Sequence, residues 1–404
     1  MYRSPNSRGK AGEGSRAPGI FPILARPMLT SHSRGFSLIE LMVGIVISLI
    51  CTLAIMAAFA LFEGQKRTTT SGDDAQQSGS FTLYALERQL RTAGSGLVQG
   101  NRYGLWGCAI TARTDSTPRL PLSAALAAPF NLWPTNTLAM PVLIASGGTL
   151  PDVIGVISGN PAGRVFTAPV SSTPDAVTVV LTNSYGIFAN DYLLGTLSDG
   201  TCALGFASTA PNTSNSITLL AASSAATGMQ NATNVFDMGS APIFSLYGVD
   251  PNTQSLVTYD LLQRPLAAGS TTAPGAIPVA DGIVQLKALY GIHDGSTPCG
   301  VADPSCIDKW VQPIGATWGI AALTANTAAA TTAIGEIKAI RIAVVAQSRL
   351  PERSTDYSTG SATTTLFPDL GATLSYSVTI QPQYRYKVYD TTIPIRNAMI
   401  TRYF

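Results

Sequence analysis

The sequence predicts an α+β fold in which the first half of one long N-terminal helix crosses a membrane and the second half packs on a large antiparallel β-rich head. Three observations carry this prediction. Residues 36–62 are apolar or small except for Glu40, the length and composition of a spanning helix. The next segment turns amphipathic, with Leu83, Leu86, Leu90 and Ala93 at helical spacing. The remainder is rich in Gly, Pro, Ser, Thr and Ala. Only 12% of the chain is charged, against about 25% in an ordinary soluble domain, which suits short strands and turns better than long surface helices.

The N-terminal flank sets the orientation. Six basic residues (Arg3, Arg8, Lys10, Arg16, Arg26 and Arg34) face one acid, Glu13, ahead of the apolar run, an arrangement that keeps the N-terminus cytoplasmic and sends the downstream chain across the membrane. The rest of the chain is net acidic, so no direct nucleic-acid partner is expected. Leu41 to Phe62 carries no charge and makes about 33 Å of helix at 1.5 Å per residue, enough to span a bilayer. A lone carboxylate such as Glu40 in this setting costs about 2.5–3.5 kcal/mol at mid-bilayer if unpaired, so it requires a partner. The helix is expected from about Phe36 to about Thr92, loosened near Gly64, Gly72 and Gly79, because an interior glycine costs about 1 kcal/mol relative to alanine. Glu87 and Arg91, four apart, read as a solvated pair.

Strands are expected at Met140–Ala145, Val153–Ile157, Ala176–Leu181, Tyr192–Leu197, Ser216–Leu220, Ile243–Val249, Ser255–Leu262, Ile283–Ile292, Glu336–Ala346 and Ser375–Tyr389. Several of these alternate apolar and polar residues. Ile243 to Leu262 reads as a hairpin turning at Asp250-Pro251-Asn252, whose residues supply turn chemistry. Thr324–Thr332 is low in complexity and reads as an exposed loop, with a short helix as the alternative.

The string Gly35-Phe36-Ser37-Leu38-Ile39-Glu40-Leu41-Met42-Val43 resembles the type IV prepilin signal. In that family prepilin peptidase cuts after the glycine, the new N-terminal Phe is methylated, and the Glu five residues in assists assembly. The resemblance implies cleavage between Gly35 and Phe36, N-methylation of Phe36 and an assembly role for Glu40. The chemistry agrees, since an amine freed at Phe36 lies at the positive end of a helix dipole and a neighbouring Glu40 carboxylate relieves both charges. The leader is longer than is usual in the family, which leaves two starts open: Met1, or Met28 with a compact basic leader.

Three further stretches are similar to the PilW-like minor pilins: Phe81–Cys108 with its Trp106-Gly107-Cys108 ending, Val284–Asp294 with Leu286, Tyr290 and Gly291, and Tyr384–Asn397 ending Pro394-Ile395-Arg396-Asn397. The resemblance implies a pilin-like fold: a leader over 1–35, a long helix over 36–95 (transmembrane 36–62, amphipathic 63–93) and a periplasmic β-rich head over 96–404. It further implies a minor pilin of a type IV pilus, held by a single pass in the inner membrane and then in the pilus or at its tip. The implied role is pilus assembly and initiation, and so twitching motility, adhesion or DNA uptake. Implied partners are prepilin peptidase, other minor and major pilins, and the inner-membrane assembly machinery. Two alternatives stand beside it: a type II secretion minor pseudopilin, and a pilus-tip adhesin whose unmatched stretch Asn136–Ala280 binds a surface.

Cys51 lies in the spanning segment and reads as packing. In an oxidising compartment Cys299 and Cys306 are expected to close a small loop and Cys108 with Cys202 a long one, although three pairings are possible. A metal site is not expected, because His293 is the only histidine after the leader and no C-x-x-C occurs. Calcium is disfavoured as well, since Asp294, Asp303 and Asp308 lack the D-x-[DN]-x-[DN]-G pattern and read as solvated loop acids. His293 and Asp294 read as turn residues after a strand. With one histidine after the leader, no G-x-S-x-G elbow and no P-loop, no enzyme activity and no cofactor are expected.

Overall fold

The computed structural model describes residues 35–98, 105–114, 117–161, 167–220, 228–263, 275–299, 306–351 and 363–400. The basic leader, both candidate starts and Asp303 lie outside them. One helix, α1, runs Leu38–Thr92, and chain contacts divide the protein into two units after Phe62. In the first unit residues 38–62 are helical with every side chain exposed. Among the described residues α1 is the one helix long and apolar enough to cross a membrane.

The second unit begins with the rest of α1. Its buried positions, Ser71, Ala75, Gly79, Thr82, Leu86, Leu90 and Ala93, recur in steps of three and four and form the stripe that meets the head. The expected loosening at glycine does not occur: α1 is continuous through Gly64, Gly72 and Gly79. Gly79 has a packing reason, because a Cβ there would lie 2.1 Å from the Tyr389 ring and 3.0 Å from Ala346 Cβ. The glycine is a notch for the ring, and the Tyr389 hydroxyl donates to the Gln76 carbonyl at 2.9 Å. The helix ends on Gly94 in the left-handed region, φ 78°, the usual cap geometry. Asn397 Nδ2 covers the Ala93 carbonyl at 2.9 Å.

Two antiparallel sheets share the main core with this helix. One runs in the order Ile277–Asp281, Ser255–Asp260, Ile243–Asp250, Val153–Ser158, Val142–Ala145; the other runs Lys309–Val311, Ile283–Ile292, Ile337–Gln347, Tyr386–Pro394. Leu86, Leu90, Phe244, Leu286, Tyr290 and Ile340 are all fully buried between them. The Tyr290 hydroxyl accepts from Ile144 N at 2.6 Å, joining the sheets across the core. The hairpin expected at Asp250-Pro251-Asn252 forms, with Ser255 opposite Asp250 and Asn252 N donating to Asp250 Oδ1 at 2.9 Å.

A third sheet of eight strands is built from residues 109–239. Its order is Thr117–Leu120, Ala109–Thr114, Thr201–Phe206, Tyr192–Leu197, Ala232–Gly239, Thr167–Asp175, Thr178–Leu181, Ser216–Thr218. Ala109–Thr114 pairs parallel to Thr201–Phe206, and the Cys108–Cys202 disulfide closes the start of that pair with Cα atoms 5.7 Å apart. One face contributes Leu194, Leu204 and Phe236 to the main core. The other has a core of its own around Val179, Leu193, Ile217, Met229 and Val235.

Several expectations change. Ser375–Tyr389 is two strands in different sheets, Tyr376–Thr379 and Tyr386–Pro394, broken where Pro382 removes a ladder donor. Thr324–Thr332 is not simply a loop: Ala328–Glu336 is helical, with Thr327 capping the Ala330 amide.

Buried Asp237 sits in this third sheet and gives it a pH signature. It is 1% exposed, its Oδ1 accepts from Gly239 N at 2.8 Å, and its Oδ2 has no hydrogen-bond partner. Burial, reinforced by the neighbouring Asp191, pushes its carboxyl up to about 6. The folded state therefore holds this proton more tightly than the unfolded chain. The stabilisation is complete below the ordinary carboxyl value and is lost as pH rises through about 6. Asp237→Asn keeps the acceptor without the charge, so at pH 8 it is expected to be about 2–3 kcal/mol more stable than the parent. The difference should vanish below about pH 4, as read by urea denaturation at both pH values; a gain independent of pH would reject this account.

Candidate functional site

The residues expected to serve in processing and assembly lie at the start of α1. Gly35, Phe36 and Ser37 precede the helix in exposed, non-helical chain, and Phe36 is 83% exposed. Ser37 occupies the N-cap position and its carbonyl accepts the first helical bond from Leu41 N at 3.1 Å. Glu40, three residues on and also exposed, turns its Oε2 back to within 3.4 Å of Ser37 N. Ser-x-x-Glu has the spacing of a capping box, of which the Glu40-to-Ser37 half is formed here, a signal present in the sequence that the reading of Glu40 as an intermolecular partner passed over. One carboxylate thus holds the helix start in shape and remains accessible one turn from the Gly35-Phe36 peptide. Among the described residues nothing covers that peptide: a Cβ on Gly35 would meet none of their atoms within 4 Å.

The four cysteines of the head lie in two places. Cys108 and Cys202, both buried, are bonded at the edge of the main core. Cys299 and Cys306 are bonded on the loop between Ile283–Ile292 and Lys309–Val311. Cys51 is unpaired on the exposed apolar helix.

That loop is organised by residues whose types suggest only ordinary loop polarity. Asp308 is not a solvated loop acid: its side chain is fully buried, with Oδ2 accepting from Asp294 N and Gly295 N, each at 2.9 Å, and Oδ1 accepting from Cys299 N at 3.3 Å. His293 is not an exposed turn residue either. It is 0% exposed and its Nδ1 lies 3.2 Å from Asp308 Oδ2, outside hydrogen-bonding geometry, while neither ring nitrogen has a hydrogen-bond partner. Asp294 stays at the surface, where its hydrogen bond to Lys309, at 2.6 Å, holds its carboxyl well below the usual range.

Two family models match the chain. The prokaryotic N-terminal methylation motif covers residues 30–56, which includes the capped helix start and most of the apolar run. Type IV pilus-assembly protein W covers residues 246–397, from the hairpin strand beginning at Ile243 to the Asn397 cap. No curated protein and no solved structure gives a significant match. The methylation motif implies processing by prepilin peptidase and assembly with other pilins, and with the one apolar helix it fits a single-pass membrane anchor. Both matched families are filament structural or assembly proteins. The N-terminal motif and the distal head point the same way: the chain is similar to the PilW-like type IV pilins over these two stretches.

Proposed function

We propose that this protein is a minor pilin that primes type IV pilus assembly from the inner membrane and has no enzymatic activity of its own. Prepilin peptidase cuts between Gly35 and Phe36, Phe36 is N-methylated, and the helix from Phe36 to Phe62 holds the subunit in the membrane with its head, residues 96–404, in the periplasm. The observation that carries the reading is the exposed, capped segment Gly35–Glu40 leading straight into an uninterrupted apolar span. In this reading Glu40 serves two successive partners: the Ser37 amide within its own chain, and the methylated amine of an adjoining subunit within the lipid, where an unpaired carboxylate is costly. Helices so paired stack in axial register, and the head is then presented to the next pilin or to the assembly machinery.

Two variants test this together. Gly35→Leu is expected to accumulate as uncut precursor, read by the mass of the N-terminal peptide. Glu40→Ala is expected to be cut normally but lost from sheared pili. Loss of surface pili with intact protein secretion supports a pilus subunit, and the reverse phenotype assigns the chain to a type II secretion system. A native protein that remains uncut, or Glu40→Ala incorporated at the parental level, removes the reading.

A further inference from the structure

The structure places beside the distal disulfide a donor set that counting residue types along the sequence rules out. The one histidine of the head, the buried Asp308 and Cys299 bring a ring nitrogen, a carboxylate oxygen and a sulfur within 4.8 Å of one another, and Cys306 adds the sulfur bonded to Cys299. We propose that the dithiol form of this chain binds one Zn²⁺ through His293, Asp308, Cys299 and Cys306, and that formation of the Cys299–Cys306 disulfide abolishes the site.

Three features point to a metal and not to ordinary packing. His293 is wholly buried with no hydrogen bond at either nitrogen, an unfavourable state for a polar group that coordination would relieve. Its Nδ1 stands 3.2 Å from Asp308 Oδ2 without hydrogen-bonding geometry; two ligands about 2.0–2.1 Å from one tetrahedral zinc lie at about that separation. Asp308 is already oriented by three backbone amides, the outer support that ligating carboxylates ordinarily have, and its Oδ1 receives only one of them. Two thiolates, one imidazole and one carboxylate make a closed tetrahedral set, the form of a structural site with no open position for substrate.

The two states are chemically exclusive. Binding displaces one proton from each thiol to solvent and forms two zinc–sulfur bonds. Oxidation of the metal-bound form instead joins the two thiolate sulfurs, releases the metal, and passes two electrons to a disulfide oxidant of the compartment, whose two product thiolates take their protons from solvent. A freshly made, still reduced chain would hold the loop by metal and an oxidised one by disulfide, with His293 and Asp308 unmoved. This inference is independent of the filament role.

The test uses the full chain in detergent micelles, either as the disulfide or reduced with a phosphine that is then removed without air. Co²⁺ added to the reduced protein is expected to give tetrahedral visible bands and sulfur-to-metal charge transfer, both cleared by Zn²⁺, whereas the oxidised protein gives neither. His293→Ala and Cys306→Ser should each weaken binding by about tenfold or more. On the unaltered chain, stoichiometric Zn²⁺ should slow re-formation of the Cys299–Cys306 bond by oxidised glutathione, followed by peptide mass. Reduced protein without cobalt bands, bands that persist equally in both variants, or reoxidation indifferent to zinc would overturn the proposal.

Discussion

Lys287→Ala is expected to destabilise the head by about 3–5 kcal/mol, the usual cost of leaving one partner of a buried ion pair uncompensated. Lys287 lies on Ile283–Ile292 with its side chain 1% exposed, and Asp152, just before Val153–Ser158, is 0% exposed. The ammonium donates to Asp152 Oδ1 at 2.7 Å, the Leu150 carbonyl at 2.6 Å and the Gly148 carbonyl at 2.8 Å, so all three of its donors are engaged. Asp152 accepts in addition from Gly147 N at 2.9 Å and Ala288 N at 3.0 Å. Burial pushes its carboxyl upward while Lys287 and these amides pull it back. Removing Lys287 takes away the charge that offsets burial and strands two loop carbonyls. Urea denaturation followed by tryptophan fluorescence should show the loss as a lower midpoint at unchanged slope. Lys287→Met combined with Asp152→Leu should recover more than half of it, because an apolar pair has no charge to desolvate. A single variant within about 1 kcal/mol of the parent would mean that water or a neighbouring group compensates the charge, and the pair would lose its assigned weight.

Gly79→Ala should be destabilising although it raises helix propensity. In an open helix the change gains about 1 kcal/mol. Here the new methyl would stand 2.1 Å and 2.5 Å from two atoms of the Tyr389 ring, with Ala346 Cβ 3.0 Å away. The ring must leave its place on the helix and give up its bond to Gln76, and overpacking of this kind costs about 1–3 kcal/mol. The net loss is expected at about 1 kcal/mol and at most about 2, with Tyr389→Leu in the same chain restoring part of it as a coupled pair. Gly64→Ala is the control, since a Cβ there meets nothing within 4 Å. Equal stability of the parent and Gly79→Ala would show that helix and sheet do not meet as closely as described.

The contrast between Gly64 and Gly79 marks how far the fold can be read from residue order. The anchor, the amphipathic half of α1 and the hairpin after Ile243 arise from patterns contained within one segment. A glycine's role does not, because propensity treats both positions alike and only the distant Tyr389 separates them. Ala109–Thr114, Thr167–Asp175, Thr201–Phe206 and Ala232–Gly239 are strands that local pattern does not predict. They carry Arg113, Pro169 and Pro174, Gly205, and Asp237 respectively, and without clean alternation they depend on their sheet neighbours for definition. Lys287 looks like an outward residue in Ile283–Ile292, yet that strand is buried on both faces nearly throughout. At the N-terminal site the cleavage motif and Glu40 are legible, and the Ser37 cap is encoded but easily overlooked. The His293–Asp308 grouping is hidden because the loop between them must fold back before the two side chains meet.

The parallel pairing of Ala109–Thr114 with Thr201–Phe206 sets an order of events. A chain delivered across a membrane from its N-terminal end exposes the first of these strands long before the second arrives. Such a non-local partner must wait for the closure of a large loop. In a chain that appears from its N-terminal end, Ala109–Thr114 is therefore among the later parts of the head to settle.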